Sequence, residues 1–387
     1  MKKSLVLMAM AGVALAGCVN DVADVQQQGQ KAKISFDSPV MYGNVDSRAN
    51  VYGEIGEKDG YTYPKAEDFQ IYAVTHESNF AGWASATAAP FNDTSISYDI
   101  DVDGWAPKDA TGDYYYWEAG KMLTIAASSP AALDVDGCVR TYGVDGLTIT
   151  DFAVNADPEK QYDLLFSTRV ANQTAANMNH GADYYSGVPI LFQHALSSIR
   201  FSLRNTSQAV VKLTGISLKG LKYKGDFKET LVEDATDYTK YDRTANVTPA
   251  WTVDNELIAN PYVAFTGDLQ FPSEAQYIHR LVEGTTGNSE SQLLLMPQAL
   301  TENSIVTVNY TVNGKANSKD VCLKGLMSTT FQDNGDVATQ TPIESWEIGK
   351  RYTYRLFYSD ATAKKDRIFF SPSTEGWKDV DVIIVPL

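Results

Sequence analysis

The sequence contains few of the residues that catalysis, metal binding and covalent cross-linking use. Its 387 residues include three cysteines and four histidines. The histidines lack the i, i+4 spacing of a zinc-binding helix, and the chain shows no nucleophile elbow, phosphate-binding glycine loop or dinucleotide fingerprint. We therefore predict a protein that is not an enzyme and that uses no cofactor and no metal. Isolated histidines in such a chain indicate hydrogen-bonded structural roles; they are His76, His180, His194 and His279.

Positive charge is also scarce. The chain has 32 Lys and Arg residues against 48 Asp and Glu residues, for a formal net charge of −16. A surface of this sign repels nucleic acid and is not attracted to anionic lipid. The charge therefore predicts no nucleic-acid partner, and any attachment to a membrane has to come from another source.

The N-terminus contains a candidate source of membrane attachment, although its apolar run is too short to span a bilayer. Leu5 to Leu15 is shorter than the roughly 20 residues that a spanning helix needs. It follows two lysines and precedes small residues, as in a secretory signal. The tetrapeptide from Leu15 to Cys18 resembles the bacterial lipobox, in which cleavage precedes the cysteine and the new N-terminus is acylated.

We therefore expect residues 1–17 to be a lipoprotein signal peptide and Cys18 to carry the lipid, including palmitate, that anchors the chain in the outer membrane. An ordinary signal peptide with a chance cysteine is the other interpretation. Two cysteines then remain, Cys138 and Cys322. They could pair in an oxidising compartment, but their separation gives no reason to prefer a disulfide.

The mature chain lacks any convincing helical stripe, and its dominant period is two. Apolar and polar residues alternate in SIVTVNYTVN (304–313), RYTYRLFY (351–358) and IRFSLRN (199–205). Such alternation is typical of a strand with one face on a core and one in water. Together with frequent Asp-Gly and Asn-Gly turns, it predicts an all-β protein of sandwich type.

The composition along the chain suggests where its parts begin and end. Residues 18–31 are polar and predict a spacer. A loop-like stretch before Val188 places a boundary there, which gives an N-terminal domain at 32–187 and a C-terminal domain at 188–387.

Two further patterns each leave an alternative open. Acidic turns at Asp101–Gly104, Asp134–Gly137 and Asp333–Asp336 could bind calcium, although Asp-Gly pairs are common in β turns and none has the EF-hand ligand pattern. An aromatic cluster could stack on sugars or fill the core of a sandwich, and we favour the core; its members are Trp83, Trp105, Trp117 and Tyr114–Tyr116.

The segment VPILFQHALSSIRFSL (188–203) resembles a strand signature of the fimbrillin superfamily, whose members are subunits of type V pili; His194, Ala195 and Leu196 match it. Several more segments agree with the family in order. They are WEAGKMLTIAASSP (117–130), LTGISLKGLKYKGDF (213–227), LLLMPQAL (293–300) and WEIGKRYTYRLFY (346–358) followed by IFFSPSTEGW (368–377). The resemblance implies two tandem transthyretin-like β-sandwich domains, no catalysis, and a role in a surface fibre.

The family also implies a mechanism of assembly in which a protease cuts after a basic residue and removes the first strand with its lipid. Here KISFDSPV (33–40) would be that strand, with Ile34 and Phe36 on one face. The resemblance then places the cut between Arg48 and Ala49, with Lys58 as the second choice. The competing interpretation is that Arg48 is an ordinary solvated loop residue.

A donor strand from a neighbouring subunit would fill the vacancy. Asp379 to Leu387 reads DVDVIIVPL and is apolar on both faces after Asp381. Four consecutive apolar residues on an open edge invite aggregation. Val382, Ile383, Ile384 and Val385 are therefore either a donor strand or a fully buried last strand of their own domain.

The sequence thus predicts a structural and adhesive subunit of a surface fimbrium, exported as a lipoprotein and assembled by donor-strand exchange. Its expected partners are other pilin subunits, the outer membrane through the N-terminal lipid, and a host or bacterial surface ligand. The alternative is a surface glycan-binding lipoprotein that uses the aromatic cluster as a platform.

Overall fold

The structure is a computed structural model, and it describes residues 32–36, 40–41, 54–55, 61–63, 65–80, 82–175, 187–188, 190–231, 247–281, 288–290, 292–331, 337–359 and 369–376. Within these residues the chain forms β-strands and two short 3-10 helices, Trp83–Ser85 and Pro158–Lys160, and no α-helix. The prediction of an all-β protein is confirmed. No helix in the described part of the chain has the length and apolar character that crossing a membrane requires.

The strands of the first half are β1 (Val40–Met41), β2 (Glu54–Ile55), β3 (Tyr61–Thr62), β4 (Phe69–His76), β5 (Thr87–Ala88), β6 (Thr94–Ile96), β7 (Tyr98–Asp99), β8 (Gly104–Trp105), β9 (Met122–Ser129), β10 (Val139–Gly143), β11 (Gly146–Ala153), β12 (Leu165–Ser167), β13 (Val170–Gln173) and β14 (Leu191–His194).

The strands of the second half are β15 (Ser197–Asn205), β16 (Val211–Lys219), β17 (Lys224–Leu231), β18 (Val247–Val253), β19 (Tyr262–Gln270), β20 (Gln276–Tyr277), β21 (His279–Leu281), β22 (Asn288–Glu290), β23 (Gln292–Leu295), β24 (Gln298–Ala299), β25 (Ile305–Val312), β26 (Lys315–Cys322), β27 (Leu326–Phe331), β28 (Val337–Ile343), β29 (Ser345–Trp346), β30 (Lys350–Tyr358) and β31 (Phe369–Gly376).

These strands form several sheets. The largest has the order β2-β3-β1-β14-β12-β9-β4-β5, with β13 beside β9 and β6 beside β4. A second sheet has the order β10-β11-β17-β18. Two more carry the chain's second half, in the orders β20-β15-β30-β31 and β19-β16-β25-β26, with β23 also pairing β15. Sheets of this kind pack face to face and bury their inner faces against one another in a β-sandwich.

The buried side chains form two hydrophobic clusters. The smaller cluster lies against the largest sheet and contains residues between Ile34 and Phe192. The larger cluster is built mainly from the second half but also includes Tyr72, Ile149 and Phe166 from the first half. The cores therefore draw on residues that are far apart in the sequence.

The sheets do not follow the predicted boundary at 187/188 in a simple way. Strand β14 extends the largest sheet beside β12, and Ala195 N–H donates to the Leu164 carbonyl. Strands β17 and β18 pair with β11 of the first half. The division into domains at 32–187 and 188–387 stays a prediction.

Alternation predicted burial correctly in one strand and incorrectly in two. In β25, Val306, Val308 and Tyr310 are buried while Asn309 is exposed. In β15 and β30 the polar positions are buried as well, because these strands lie inside a sheet and give each other hydrogen-bond partners. Arg200 of β15, for example, donates from Nε to Thr353 Oγ1 of β30 at 2.7 Å.

Candidate functional site

The segment at residues 32–36, here called the first segment, lies between two other parts of the chain and is hydrogen-bonded to both. On one side, Ile34 N–H donates to the Tyr115 carbonyl at 2.9 Å, and Trp117 N–H donates to the Ala32 carbonyl at 3.0 Å. On the other side, Val188 N–H donates to the Ser35 carbonyl at 2.8 Å. The first segment therefore occupies the position of an inner strand.

Phe36 completes this pairing. Its N–H donates to the Trp105 carbonyl at 2.7 Å, and Trp105 N–H donates to the Phe36 carbonyl at 3.1 Å, as in an antiparallel pair. Phe36 also bridges Val188 in the parallel sense. We call the backbone of Trp105, Tyr115, Trp117 and Val188 that receives the first segment the first-strand slot.

Side chains of the first segment fill the smaller core. Ile34 is 4% exposed and Phe36 is fully buried. The Phe36 ring meets Phe69 edge-on at a centroid distance of 6.3 Å. Phe69 in turn belongs to an aromatic group in which neighbouring ring centroids are 5.4 to 6.2 Å apart; its other members are Tyr63, Trp105 and Phe192. Such edge and tilted contacts add to the free energy of apolar burial.

The next described strand after the first segment, β1, lies between β14 and β3. Strand β1 pairs in parallel with β14, with Val40 opposite Leu191, and in antiparallel with β3. Phe36 thus pairs with Val188, and Val40 and Met41 pair with Leu191 and Phe192. Arg48 and Ala49 lie in the connection from β1 to β2, and Lys58 lies between β2 and β3, all outside the described residues.

Gly104 permits the close approach of the first segment. A Cβ atom at this position would lie 2.7 Å from the Phe36 carbonyl oxygen, which is closer than real Cβ contacts. In the sequence, this glycine is recognisable only as part of an Asp-Gly turn. Its second role depends on a contact between residues 68 positions apart, which no local pattern reveals.

We expect Gly104→Ala to weaken the binding of the first segment in its slot, because the new methyl group has to displace the Phe36 backbone. The expected loss is about 1–3 kcal/mol in the free energy of unfolding. Hydrogen exchange should show faster exchange of the Ile34 and Phe36 amides. Gly143→Ala is the matched control, since nothing lies within 4 Å of a Cβ there; equal exchange rates in both variants would contradict the expectation.

A polar network covers the outer side of the slot. Lys33 Nζ lies 3.8 Å from the centroid of the Tyr114 ring, whose hydroxyl donates to Asp99 Oδ2 at 2.7 Å. Lys108 forms an ion pair with the same carboxylate at 2.5 Å. The hydrogen bond from Lys108, followed by that from Tyr114, lowers the pKa of Asp99 to about 2. This carboxylate therefore stays charged over the physiological range.

The aromatic cluster does not form an exposed platform. Trp105 is fully buried and Trp117 is 7% exposed, so both rings belong to the core, as the sequence analysis favoured. Tyr116 is 40% exposed and lies at the surface. Trp83 is half-buried against Tyr142, with ring centroids 4.7 Å apart. The geometry therefore does not favour a glycan-binding lipoprotein that uses this platform.

The described histidines and cysteines form no catalytic arrangement. His194 is buried with Nδ1 2.8 Å from Asp163 Oδ1, and His76 contacts Thr124 Oγ1 and the Ser78 carbonyl. Cys138 and Cys322 are half-buried free thiols. Within the described residues no group of three or more His, Cys, Asp or Glu side chains is placed to hold a metal ion.

Two buried charged side chains, Arg169 and Glu229, lie between the largest sheet and the β10-β11-β17-β18 sheet. Arg169 is enclosed by the rings of Phe80, Trp83 and Tyr142, at 5.2, 5.2 and 5.8 Å from their centroids. Glu229 of β17 is 1% exposed, and neither carboxyl oxygen has a hydrogen-bond partner within the described chain. Burial raises the pKa of Glu229 to about 8, although Arg169 opposes the shift. The sequence pattern gave no sign of this carboxyl.

The remaining predicted site residues lie outside the described part of the chain. They are Cys18, Arg48, Ala49, Val382, Ile383, Ile384 and Val385. Of the predicted set, the structure therefore places Ile34 and Phe36, and it adds Gly104 and Val188, which the sequence analysis did not single out.

Three solved structures are similar to this chain at low sequence identity. A putative cell adhesion protein from Bacteroides uniformis is 12% identical, over 90% of this chain and 99% of that one, with a TM-score of 0.45. A fimbrial protein from Bacteroides vulgatus is 14% identical, over 89% and 99%, also with a TM-score of 0.45. The tip fimbrial protein Mfa3 from Porphyromonas gingivalis, truncated at its C-terminus, is 12% identical, over 88% and 100%, with a TM-score of 0.30.

No curated protein matches the sequence. A family model described as fimbrillin-like matches residues 62–377, which is most of the chain and begins within β3. The chain belongs to the fimbrillin-like family.

Proposed function

We propose that this protein is a structural and adhesive subunit of a surface fimbrium, exported as a lipoprotein and assembled by donor-strand exchange after proteolysis. Membership of the fimbrillin-like family supports a fimbrial subunit that assembles with other pilins at the cell surface. The observation that carries the finer proposal is the first segment, which is bonded on both sides and inserts Ile34 and Phe36 into the core. This role requires no catalysis.

Removing the first segment would leave the slot in an unstable state. The Trp105 N–H and carbonyl, the Tyr115 carbonyl and the Val188 N–H would lose their partners. Unpaired backbone groups beside an exposed apolar core make a strong template for another strand. A strand from a second subunit restores both the hydrogen bonds and the buried side chains.

A cut after Arg48 suits this removal. It falls between β1 and β2, so residues 32–41 would leave together while β2 and β3 stay paired with each other. A cut after Lys58 would also release β2. The released piece would carry Cys18, so the same cut would detach the subunit from its lipid.

Filling the slot of one subunit with a strand of the next produces a chain of subunits. The donor and the slot are different surfaces, so the contact is head-to-tail and does not close on itself. We assign the donor to Val382–Val385, which follow the last described strand, β31. A last strand of the subunit's own domain is the competing assignment.

Deleting Val382–Leu387 tests the proposal. We expect a subunit with an unchanged thermal unfolding midpoint that is cut normally but forms no polymer, as measured by light scattering and electron microscopy. Deletion of six residues of the polar spacer, 22–27, is the length-matched control and should leave the amount of polymer unchanged. An unfolded subunit after the C-terminal deletion would instead assign this segment to its own core.

A further inference from the structure

We propose that a small apolar cavity beside Ile34 is where the C-terminal segment of a second copy first engages the subunit, while the first segment is still in its slot. The inference rests on the proposed function and adds the place where strand exchange begins. The cavity is present in the uncut subunit, so it is available before any strand leaves.

The cavity has a volume of about 40 Å3 and opens to the surface at the end of the smaller core. That is room for more than one water molecule, or for a small aliphatic group. Its wall is mostly apolar, which makes a hydrocarbon side chain a better occupant than water. Besides Ile34, the wall includes Thr75, Pro90, Phe91, Trp117, Met122 and Leu123.

The cavity continues the core rather than forming a separate feature. Ile71 and Ala73 of β4 point into the smaller core, and Thr75 follows them on the same face by the two-residue period of a strand. Phe91, Trp117 and Leu123 are themselves buried. A side chain entering the cavity would therefore join the core next to Ile34.

Strand exchange benefits from such an entry point. If the first segment had to leave completely before another strand arrived, the whole slot and the aromatic group around Phe69 would be exposed to water. An incoming strand that already holds one side chain in the cavity can replace the resident contacts step by step. The exposed intermediate is then avoided, and exchange becomes faster.

The C-terminal segment has the chemistry of the expected occupant. In DVDVIIVPL, Val382 and Ile384 share one face, and Ile383 and Val385 share the other. Either pair has the i, i+2 spacing with which Ile34 and Phe36 enter the core. The acidic residues before the pair would meet Lys121 at the rim, which pairs with Glu118 at 2.7 Å and is 41% exposed.

Filling the cavity tests this inference. Thr75 is half-buried and its hydroxyl donates to the Thr87 carbonyl at 3.3 Å, so Thr75→Leu adds apolar volume with little other change. Thr75→Asp, which places a charge in the cavity, is a second variant in case the first does not fold. The matched control is Thr141→Leu, at an exposed threonine of β10. Thermal unfolding verifies that each variant is folded.

Two measurements on the full mature chain separate the outcomes. The first is binding of a fluorescent peptide of residues 379–387 to the uncut protein, followed by anisotropy. The second is the initial rate of polymer growth after proteolysis. We expect the Thr75 variants to bind the peptide at least tenfold more weakly and to polymerise at least tenfold more slowly, whereas Thr141→Leu should match the unsubstituted protein.

Peptide binding that is equal in all variants, or absent from all of them, would overturn the docking site. Polymer growth at equal rates would overturn it as well. If the peptide binds in a Thr75-dependent way but cut protein never polymerises, the proposed function fails while the docking site remains. The two proposals can therefore be distinguished.

Discussion

Replacing Phe36 with alanine is expected to lower the free energy of unfolding of the uncut subunit by about 3–5 kcal/mol. The ring is fully buried and packs edge-on against Phe69, inside the smaller core. Its removal leaves a cavity that the surrounding rings cannot easily fill, because Phe69 and Trp105 are held by their own neighbours. Denaturant unfolding of the purified mature chain measures the loss.

The same substitution should have no effect on an assembled fibre, because residue 36 would have been removed with the first segment. Fibres grown from Phe36→Ala protein should dissociate at the same denaturant concentration as unsubstituted fibres. Tyr116→Ala is the control in the uncut subunit, where a 40% exposed ring should contribute less than about 1 kcal/mol. Equal losses in the uncut subunit and in the fibre would contradict removal of the first segment.

The second large effect concerns Glu229 and the pH. Its carboxyl has a pKa of about 8 in the fold, raised by burial, against 4.5 in the unfolded chain. Between these values the unfolded chain loses the proton while the folded chain retains it. The free energy of unfolding therefore falls as the pH rises from 4.5 to 8, by roughly 5 kcal/mol in total. Below pH 4.5 the carboxyl is protonated in both states, so this loss does not occur and the stability keeps its full value.

Glu229→Gln removes the titrating group and should abolish this part of the pH dependence. We expect the variant to be more stable than the unsubstituted protein at pH 8.5, and the difference between them to shrink steadily toward pH 4.5. Denaturant unfolding at several pH values gives the difference directly. Glu77→Gln, at an exposed position, should show no such trend. A constant difference across the pH range would show that Glu229 is ionised in the fold.

Much of the fold could be predicted from the sequence, because alternation reports the two faces of a strand. It located β25 and its buried row, and it put Ile34 and Phe36 on a common face, which the structure places in the core. Alternation wrongly predicted that the polar residues of β15 and β30 would face water. Arg200 and Arg355 are buried there, since both strands lie inside one sheet.

The candidate site could be predicted only in part, and the reason is physical. Which residues receive the first segment depends on pairing over distances of roughly 70 to 150 positions, such as Phe36 with Trp105 and with Val188. Local patterns hold no information about such partners. The close contact at Gly104 and the buried carboxyl of Glu229 became visible only once the sheets were in place.

The buried tryptophans show how one pattern can support two interpretations. A dense group of aromatic residues is compatible with a sugar-binding surface and with a core. The structure places Trp117 inside the core and Tyr116 at the surface. Burial, which the sequence does not give, decided against the platform.

The most direct test of the account is the N-terminus and intact mass of the subunit recovered from surface fibres. We expect a chain that begins at Ala49 and carries no lipid, with the first segment absent. Arg48→Gln should prevent this product and leave the subunit unpolymerised at the membrane. Fibre protein that begins at an acylated Cys18 and still contains Ile34 and Phe36 would contradict exchange of the first strand.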